Sequence, residues 1–393
     1  MTDRTRVLFV NSGILGQGTF SKFVSEAMAL EPDIDACHMN LSEGLTTGER
    51  LIRRALCNRL WRDGWLGVNN LDLFRFRAEY HAGIQAARRM RRLFREGQPD
   101  VLHFHRQATA YASVPLMRRI PSVVSIDCTQ DIVVDAAASS IERWTYQPNI
   151  RADARIFEAA AAVVSTSRWA ADCVRRRYPS CRAPIHVMST PVRLQFFPES
   201  WMDERRTRAA RGARPRVLFV GGDFDRKGGP DLIAAWRAGN FARIADLDIV
   251  TDRAAQPRET PGVRVLRGIG SYSNEWADAW RNADLFVMPT HQDAFPLVFQ
   301  EAAAAGVARI GTVVNAVPEM ITDGVSGLLA NAGDCEGLVR ALRTLLESPD
   351  LRHRLGRAGR EQVVRDAHPD DYRRRLARII HEAAHRPSVS RVA

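Results

Sequence analysis

Short, nearly all-apolar runs alternate with stretches of helical periodicity along almost the whole chain, and few folds accommodate that alternation. The runs are Arg6–Asn11, Val101–His105, Val123–Asp127, Ala162–Thr166 and Ile185–Ser189, then, after an interruption, Arg216–Gly222, Leu247–Thr251, Val263–Arg267, Leu285–Pro289 and Arg309–Thr312. A strand with one solvated face alternates apolar and polar residues; a strand covered by helices on both faces has no need to. Apolar strands separated by helices therefore predict parallel sheets in doubly wound α/β domains. The interruption, Pro191–Arg214, is rich in Arg and Pro and lacks periodicity, which predicts an interdomain linker. On either side the chain opens alike, with RVLFVNS at 6–12 and RVLFVGG at 216–222. A chain of 393 residues exceeds one ordinary core and suits two Rossmann-like domains. The expected organisation is a first domain at 1–190, a linker at 191–214, a second domain at 215–367, a C-terminal helix at 368–386 packing back toward the first domain, and a disordered tail at 387–393.

Charge is uneven. Residues 1–195 hold 27 Lys and Arg against 19 Asp and Glu, a balance of +8; residues 196–393 hold 29 against 26, a balance of +3. A basic first half favours anionic partners without choosing among them. The six cysteines are scattered, with no CxxC pair, as in a reducing, cytoplasmic compartment. The N-terminal apolar run is too short for a signal peptide, and no apolar stretch reaches the roughly 18 residues that span a bilayer, so membrane contact, if any, is peripheral.

Glycines punctuate the two strand-to-helix starts. The first loop carries Gly13, Gly16 and Gly18 in the spacing GxxGxG, which departs from the GxGxxG of dinucleotide binders and reads equally as a tight turn or an anion cradle. The second, Gly221 to Pro230, places Arg226 and Lys227 between glycine pairs, where backbone N–H groups and two cations suit a diphosphate. A third segment sets Asp293 before a helix and Glu301 inside it, eight residues apart, with Phe295, Pro296, Leu297 and Val298 between. Carboxylates accept hydrogen bonds well from sugar hydroxyls, although an Asp cap and a surface Glu would read the same way from spacing alone. Val317-Pro318-Glu319 and the glycines Gly324 and Gly327 follow.

The order VGG…RKGG, then Asp-x7-Glu running into EAAAAG, then VPE…DGxxGLL, resembles the C-terminal half of the GT4 family of retaining glycosyltransferases over about 130 residues. The N-terminal half is similar more loosely, through its glycine loop, the DVLHFH strand and AAAAVVSTSRWAADCVRRRYP. The resemblance implies a GT-B fold of two facing Rossmann-like domains, an acceptor on the first, a nucleotide-sugar donor on the second (a UDP-sugar favoured), retention at the anomeric carbon, no obligatory metal and no cofactor beyond the donor. It implies that Lys227 contacts the diphosphate, with Arg226 beside it standing in for an arginine the family usually carries where this chain has Gly222. It implies that Glu301 holds the ribose, that Phe295 to Val298 offer amides to sugar and phosphate, and that Gly16 and Gly18 belong to the first-domain binding loop. Two positions depart from the pattern. Asp293 stands where a glutamate usually meets the transferred sugar, and Asp127 ends the SIDCT strand where a histidine is common. Those departures keep a second reading open, a non-catalytic nucleotide-sugar-binding protein on the same scaffold. The acceptor expected is a glycan or lipid-linked sugar.

Other motifs carry less. His381-Glu382-x-x-His385 fits the HExxH of zinc proteases, but it lies in a terminal, Arg-rich helix and none of the eight residues after His385 supplies a third ligand. His103 and His105 share one side of a strand without an acidic or Cys neighbour, which favours packing. Asp223-x-Asp225 imitates a metal-binding DxD, yet Arg226 and Lys227 beside it would repel a cation. Arg88 to Arg95 puts five arginines around the apolar stripe of Ile84, Ala87, Met90, Leu93 and Phe94; it reads as a core-packed helix with a solvated face, or as an interfacial helix on anionic lipid at the inner face of a membrane. No aromatic-interleaved basic strand points to nucleic acid.

Overall fold

Among the described residues twelve parallel strands form two sheets, and the ten apolar runs supply ten of them. The computed structural model describes residues 4–12, 17–44, 46–60, 70–95, 97–251 and 260–386. The first sheet contains β1 (Thr5–Asn11), β2 (Ile34–Asn40), β3 (Val101–His105), β4 (Ser122–Ile126), β5 (Ala162–Ser165) and β6 (Ile185–Val187), in the order β2-β1-β3-β4-β5-β6. The second contains β7 (Arg216–Val220), β8 (Asp246–Val250), β9 (Val263–Leu266), β10 (Leu285–Val287), β11 (Ala308–Thr312) and β12 (Leu328–Ala330), in the order β12-β11-β10-β7-β8-β9. In each, the first strand has its sequence successor on one side and a later strand on the other, so winding reverses beside it. Open α/β sheets bind ligands at the carboxyl ends of the strands at that point. It falls between β1 and β3 in the first sheet and between β7 and β10 in the second.

The chain separates into two units, residues 1–190 with 370–393, and residues 191–369. In the N-terminal unit, β1 sends Val7 and Phe9 to one face of the sheet and Leu8 and Val10 to the other, and both faces are covered. One cover includes α3 (Phe74–Leu93), through Ala86 and Met90. The other combines α1 (Gln17–Met28) with the C-terminal helix Pro369–Ala384, whose Tyr372, Leu376, Ile379 and Ile380 are buried. Each such buried side chain contributes about 1.5–3 kcal/mol. Specific contacts fix that helix as well: the Tyr372 ring packs edge-on against Phe20, Arg373 pairs with Glu31, and His381 Nδ1 lies 3.0 Å from Thr5 Oγ1.

The C-terminal unit has a continuous core in which Trp236, Trp280, Phe219, Phe286 and Phe299 are fully buried. Residues 191–214, read from sequence as a linker, are structured and belong to this core: helix Ser200–Ala210 buries Trp201, and Arg205 donates to the carbonyls of Ala283, Ala305 and Gly306. With only two large apolar residues in eleven, that helix offered no periodic stripe. The edge strand β2, IDACHMN, escaped the sequence reading because its residues alternate in exposure, and β12 because it has three residues. The tail at 387–393 lies outside the described residues.

Candidate functional site

Both halves of the candidate site in the C-terminal unit arise where β7 and β10 diverge. After β7 the loop from Gly221 turns tightly. Lys227 N–H donates to Asp223 O, Gly228 N–H to Asp225 O and Gly229 N–H to Phe224 O before helix Gly229–Ala238 begins. These bonds correct one expectation. The amides of Lys227, Gly228 and Gly229 are consumed by the turn, so an anion on this loop meets side chains rather than those N–H groups. Gly222 is exposed, and a Cβ placed on it would meet nothing within 4 Å. Gly228 is different: its φ is +78°, and a Cβ there would stand 1.9 Å from the carbonyl oxygen of Pro289. The loop can thus press against the segment after β10 only with glycine at 228.

That segment is tied to the loop at several points. His291 N–H and Thr290 Oγ1 donate to Arg226 O, at 3.0 and 3.2 Å, and the Arg226 guanidinium donates to Gln292 O at 2.5 Å. Asn315 donates to the carbonyl of Asp293 at 3.0 Å. The Asp293 carboxylate then pairs with Lys227, and Arg226 stands 3.7 Å from the same oxygen. Lys227 lays its stem over Gly221, where a Cβ would come within 3.1 Å of its Cγ. It is one of only two lysines, with Lys22, among 56 basic residues. In a chain that otherwise uses arginine, a compact ammonium on a flexible stem marks this position out.

Helix Leu297–Ala304 starts immediately beyond. Its first turn leaves the amides of Leu297 and Val298 without intrahelical acceptors, and Phe295 and Pro296 lead the chain into it. Glu301 lies in its second turn. Burial pushes its carboxyl up to about 7, against the opposing effect of a hydrogen bond from Tyr272. Tyr272 escaped the sequence reading. It sits after β9 at φ +64°, unusual for a non-glycine residue, and packs on Phe196 and Trp276 with the Arg193 guanidinium 5.7 Å from its ring. The turn-rich run Gly268-Ile-Gly270-Ser-Tyr272 was the available signal.

In the N-terminal unit the corresponding strand ends hold Asp127, after β4, with His105, the last residue of β3, and Arg106 after it. Asp127 is within electrostatic reach of both, and Cys128 Sγ lies 3.4 Å from its Oδ1. Arg106 has φ +81° and approaches Glu79 at 3.6 Å. Gly18 is exposed at the start of α1; Gly13 and Gly16 lie outside the described residues.

The remaining motifs have structural employment. His103 bonds Ser125 Oγ at 2.9 Å and packs on Phe9, while His105 stacks on Phe20; burial lowers them to about 3 and about 4. His381 meets Thr5, His385 Nδ1 lies 2.7 Å from His381 O, and Asp223 accepts from Arg226 at 3.3 Å. Among the described residues no three His, Cys, Asp or Glu are grouped to hold a metal ion. The apolar stripe of α3 turns inward, with Ala87 and Met90 buried; Arg88, Arg91 and Arg92 face solvent without apolar company, Arg89 donates to the carbonyls of Asn40 and Glu43, and the interfacial reading of that helix has no support. No helix among the described residues is long and apolar enough to cross a membrane.

Two family models match the chain, glycosyltransferase family 4 over residues 62–196 and glycosyl transferases group 1 over residues 265–362. Glycogen synthase of Mycobacterium tuberculosis is 25% identical over 309 residues, covering 73% of this chain and 70% of that protein. D-inositol 3-phosphate glycosyltransferase 1 of Catenulispora acidiphila is 26% identical over 275 residues, covering 64% and 65%. Among solved structures, sucrose-phosphate synthase from Thermosynechococcus elongatus superposes with a TM-score of 0.71 at 18% identity, covering 96% of this chain and 99% of that one. Anabaena HepE in complex with UDP and glucose gives 0.65 at 13%, covering 96% and 100%. The fold is that of the GT-B glycosyltransferases.

Proposed function

The chain belongs to the group 1 glycosyltransferases of family 4, and on that premise we propose that it moves a sugar from a nucleotide-sugar donor, bound by the C-terminal unit, to a glycan or lipid-linked acceptor bound by the N-terminal unit, with retention at the anomeric carbon. The observation that carries this reading is the convergence, at one strand divergence, of Lys227, Arg226, Asp293, a helix start and Glu301. Lys227 and Arg226 neutralise the charge that grows on the diphosphate as its bond to the anomeric carbon breaks. The Leu297 and Val298 amides add donors along the same helix axis. Glu301 accepts from the ribose hydroxyls, and Asp293, released in part from Lys227, accepts from the transferred sugar. The acceptor oxygen bonds the anomeric carbon on the face the diphosphate leaves, and its proton passes to the departing phosphate oxygen. The step needs no protein base, metal or further cofactor. A uridine donor is favoured because fold relatives carry UDP and UDP-glucose.

The test follows nucleoside diphosphate release from UDP-, GDP- and ADP-sugars, with the product anomer assigned by NMR. Thermal shift runs beside it, since a ligand at one hundred times its Kd adds about 2.7 kcal/mol. Stabilisation by one nucleotide with turnover of its sugar supports the reading. Stabilisation without turnover for every acceptor tried favours the non-catalytic binding protein, which Asp293 and Asp127 motivate. No stabilisation by any nucleotide refutes both.

A further inference from the structure

Tyr272 occupies a backbone position that disfavours side chains. Ser273 N–H donates to Gly270 O at 3.1 Å, which closes a four-residue turn with Tyr272 in its third place at φ +64°. Glycine or asparagine usually fills that place, and four residues earlier the same loop uses glycine, Gly268 at φ +71°, for this conformation. The chain's exit from the turn needs nothing from the Tyr272 side chain, because Ser273 Oγ caps helix Asn274–Asn282 by accepting from Trp276 N–H at 3.2 Å. A tyrosine held against its backbone preference points to a task for its side chain.

That side chain is clamped. Its ring lies 5.0 Å from Phe196 and 4.5 Å from Trp276, centroid to centroid, with the Arg193 guanidinium 5.7 Å above it. Phe196 and Arg193 come from the segment before helix Ser200–Ala210, and Trp276 from the helix that the turn starts. With the ring fixed, the hydroxyl has one direction, and it donates to the Glu301 carboxyl. Burial, with Glu301 beside it, holds the phenol well above its ordinary 10, so it keeps its proton at every pH near neutrality. Among the described residues Tyr272 is the titratable group acting on Glu301, and Arg193 the cation acting on Tyr272. A carboxylate turns readily about its last bond unless one oxygen is held; a donor that holds one fixes the plane in which the remaining lone pairs accept. We propose that Tyr272 is a positioning residue of the donor site, its hydroxyl holding the Glu301 carboxylate in the plane that accepts the two ribose hydroxyls. The inference rests on the reading of Glu301 as the ribose carboxylate, and it gives Tyr272 no contact of its own with the nucleotide.

The test compares wild type, Tyr272→Phe and Glu301→Gln by calorimetric titration with UDP, GDP and ADP and with their 2′-deoxy analogues, at intervals from about pH 5.5 to 8.5. Phenylalanine keeps the ring between Phe196 and Trp276 and removes only the hydroxyl, so circular dichroism should match wild type. Tyr272→Phe should bind the accepted diphosphate about tenfold more weakly at pH 7, the worth of one hydrogen bond to a charged group. The lost bond favours the ionised carboxyl, so the pH at which affinity is half lost should move up. The preference of wild type for the ribonucleotide over its 2′-deoxy analogue should shrink as well, since a carboxylate no longer held reads the two hydroxyls less well. A tyrosine of purely structural use would lower affinity for both nucleotides alike and by one factor at every pH. That result, or affinities equal to wild type, overturns the proposal. Glu301→Gln separates the proposal from its premise. If Glu301→Gln weakens binding and Tyr272→Phe does not, only the role of Tyr272 falls. If Glu301→Gln binds as wild type does, or wild type binds none of the three diphosphates, the ribose reading falls and the role of Tyr272 with it.

Discussion

Lys227 and Asp293 form an ion pair where β7 and β10 part, although 66 residues separate them in sequence. Both side chains are largely buried, so the pair neutralises a cation and a carboxylate that would otherwise be held close together, poorly hydrated. A diphosphate arriving here competes with Asp293 for the same ammonium.

Replacing Lys227 by Ala should therefore cost transfer about two to three orders of magnitude, as loss of a preorganised charge partner does. Lys227→Arg should not restore it fully, because the stem at 227 runs over Gly221 and a planar guanidinium cannot occupy the ammonium's place. Steady-state kinetics with calorimetry on the nucleoside diphosphate measures both. Activity of Lys227→Ala within a few-fold of wild type would remove Lys227 from the diphosphate site.

Glu301 links binding to pH. Its carboxyl, raised to about 7, is about half protonated at neutrality in the free protein. A ribose diol donates two hydrogen bonds and needs the ionised form. Nucleotide affinity should fall as pH drops below about 7, approaching tenfold per unit, and level off above it. The stability sign is opposite. The group's folded pKa lies above its ordinary 4.5, so the unliganded unit loses stability as pH rises from 4.5 through about 7. Glu301→Gln should weaken nucleotide binding and flatten its pH profile with the fold intact. Calorimetric titrations from pH 5.5 to 8.5 decide; an unchanged affinity moves the ribose elsewhere.

Two neighbouring glycines should separate a packing requirement from a spectator. Gly228→Ala sets a methyl against the Pro289 carbonyl at positive φ and should destabilise the C-terminal unit by several kcal/mol. Gly222→Ala meets open space and should leave thermal stability unchanged. Comparable Tm values for both variants would mean that the loop does not press on the segment after β10.

These positions also mark what a sequence can disclose. Strand-to-helix glycines and the RKGG cations were legible because backbone geometry restricts residue type there, and β1, β3, β7 and β10 because burial on both faces leaves an uninterrupted apolar run. The Lys227–Asp293 pair was not, since its partners come from separate strand ends and the sequence does not state their distance. Nor was the use of the Lys227, Gly228 and Gly229 amides, which depends on a turn that closes on Asp223, Phe224 and Asp225. Tyr272 was hidden because its link to Glu301 crosses the unit, and helix Ser200–Ala210 because Arg205, a charged residue, does the burying.

The N-terminal unit should respond to acid through its histidines. His103 is buried beneath Phe9 and lowered to about 3, and His105 is lowered to about 4, desolvation being the main cause for each. Both folded pKa values lie below the ordinary 6.5, so the stability the neutral rings permit is fully present above 6.5 and is lost as pH falls toward those values. Between pH 7.5 and 5 the loss should be about 2 kcal/mol per histidine, at about 1.4 kcal/mol per pH unit below 6.5. Asp153 acts against them. Buried among Tyr111, Tyr178 and Gln107, it is raised to about 7, and a raised carboxyl gains stability as pH falls over the same interval. The wild-type change is thus a partial cancellation, and single variants expose its parts. His103→Gln, which keeps a donor for Ser125 but cannot take up a proton, should raise stability at pH 5 relative to pH 7.5 by about 2 kcal/mol compared with wild type. Asp153→Asn should make the acid loss steeper. Hydrogen exchange on peptides from residues 4–190 and 370–386, read separately from those of 191–369, isolates the unit concerned. If His103→Gln and wild type protect these peptides with the same pH dependence, His103 already carries its proton in the folded unit or is reached by water, and its burial beneath Phe9 does not govern the response.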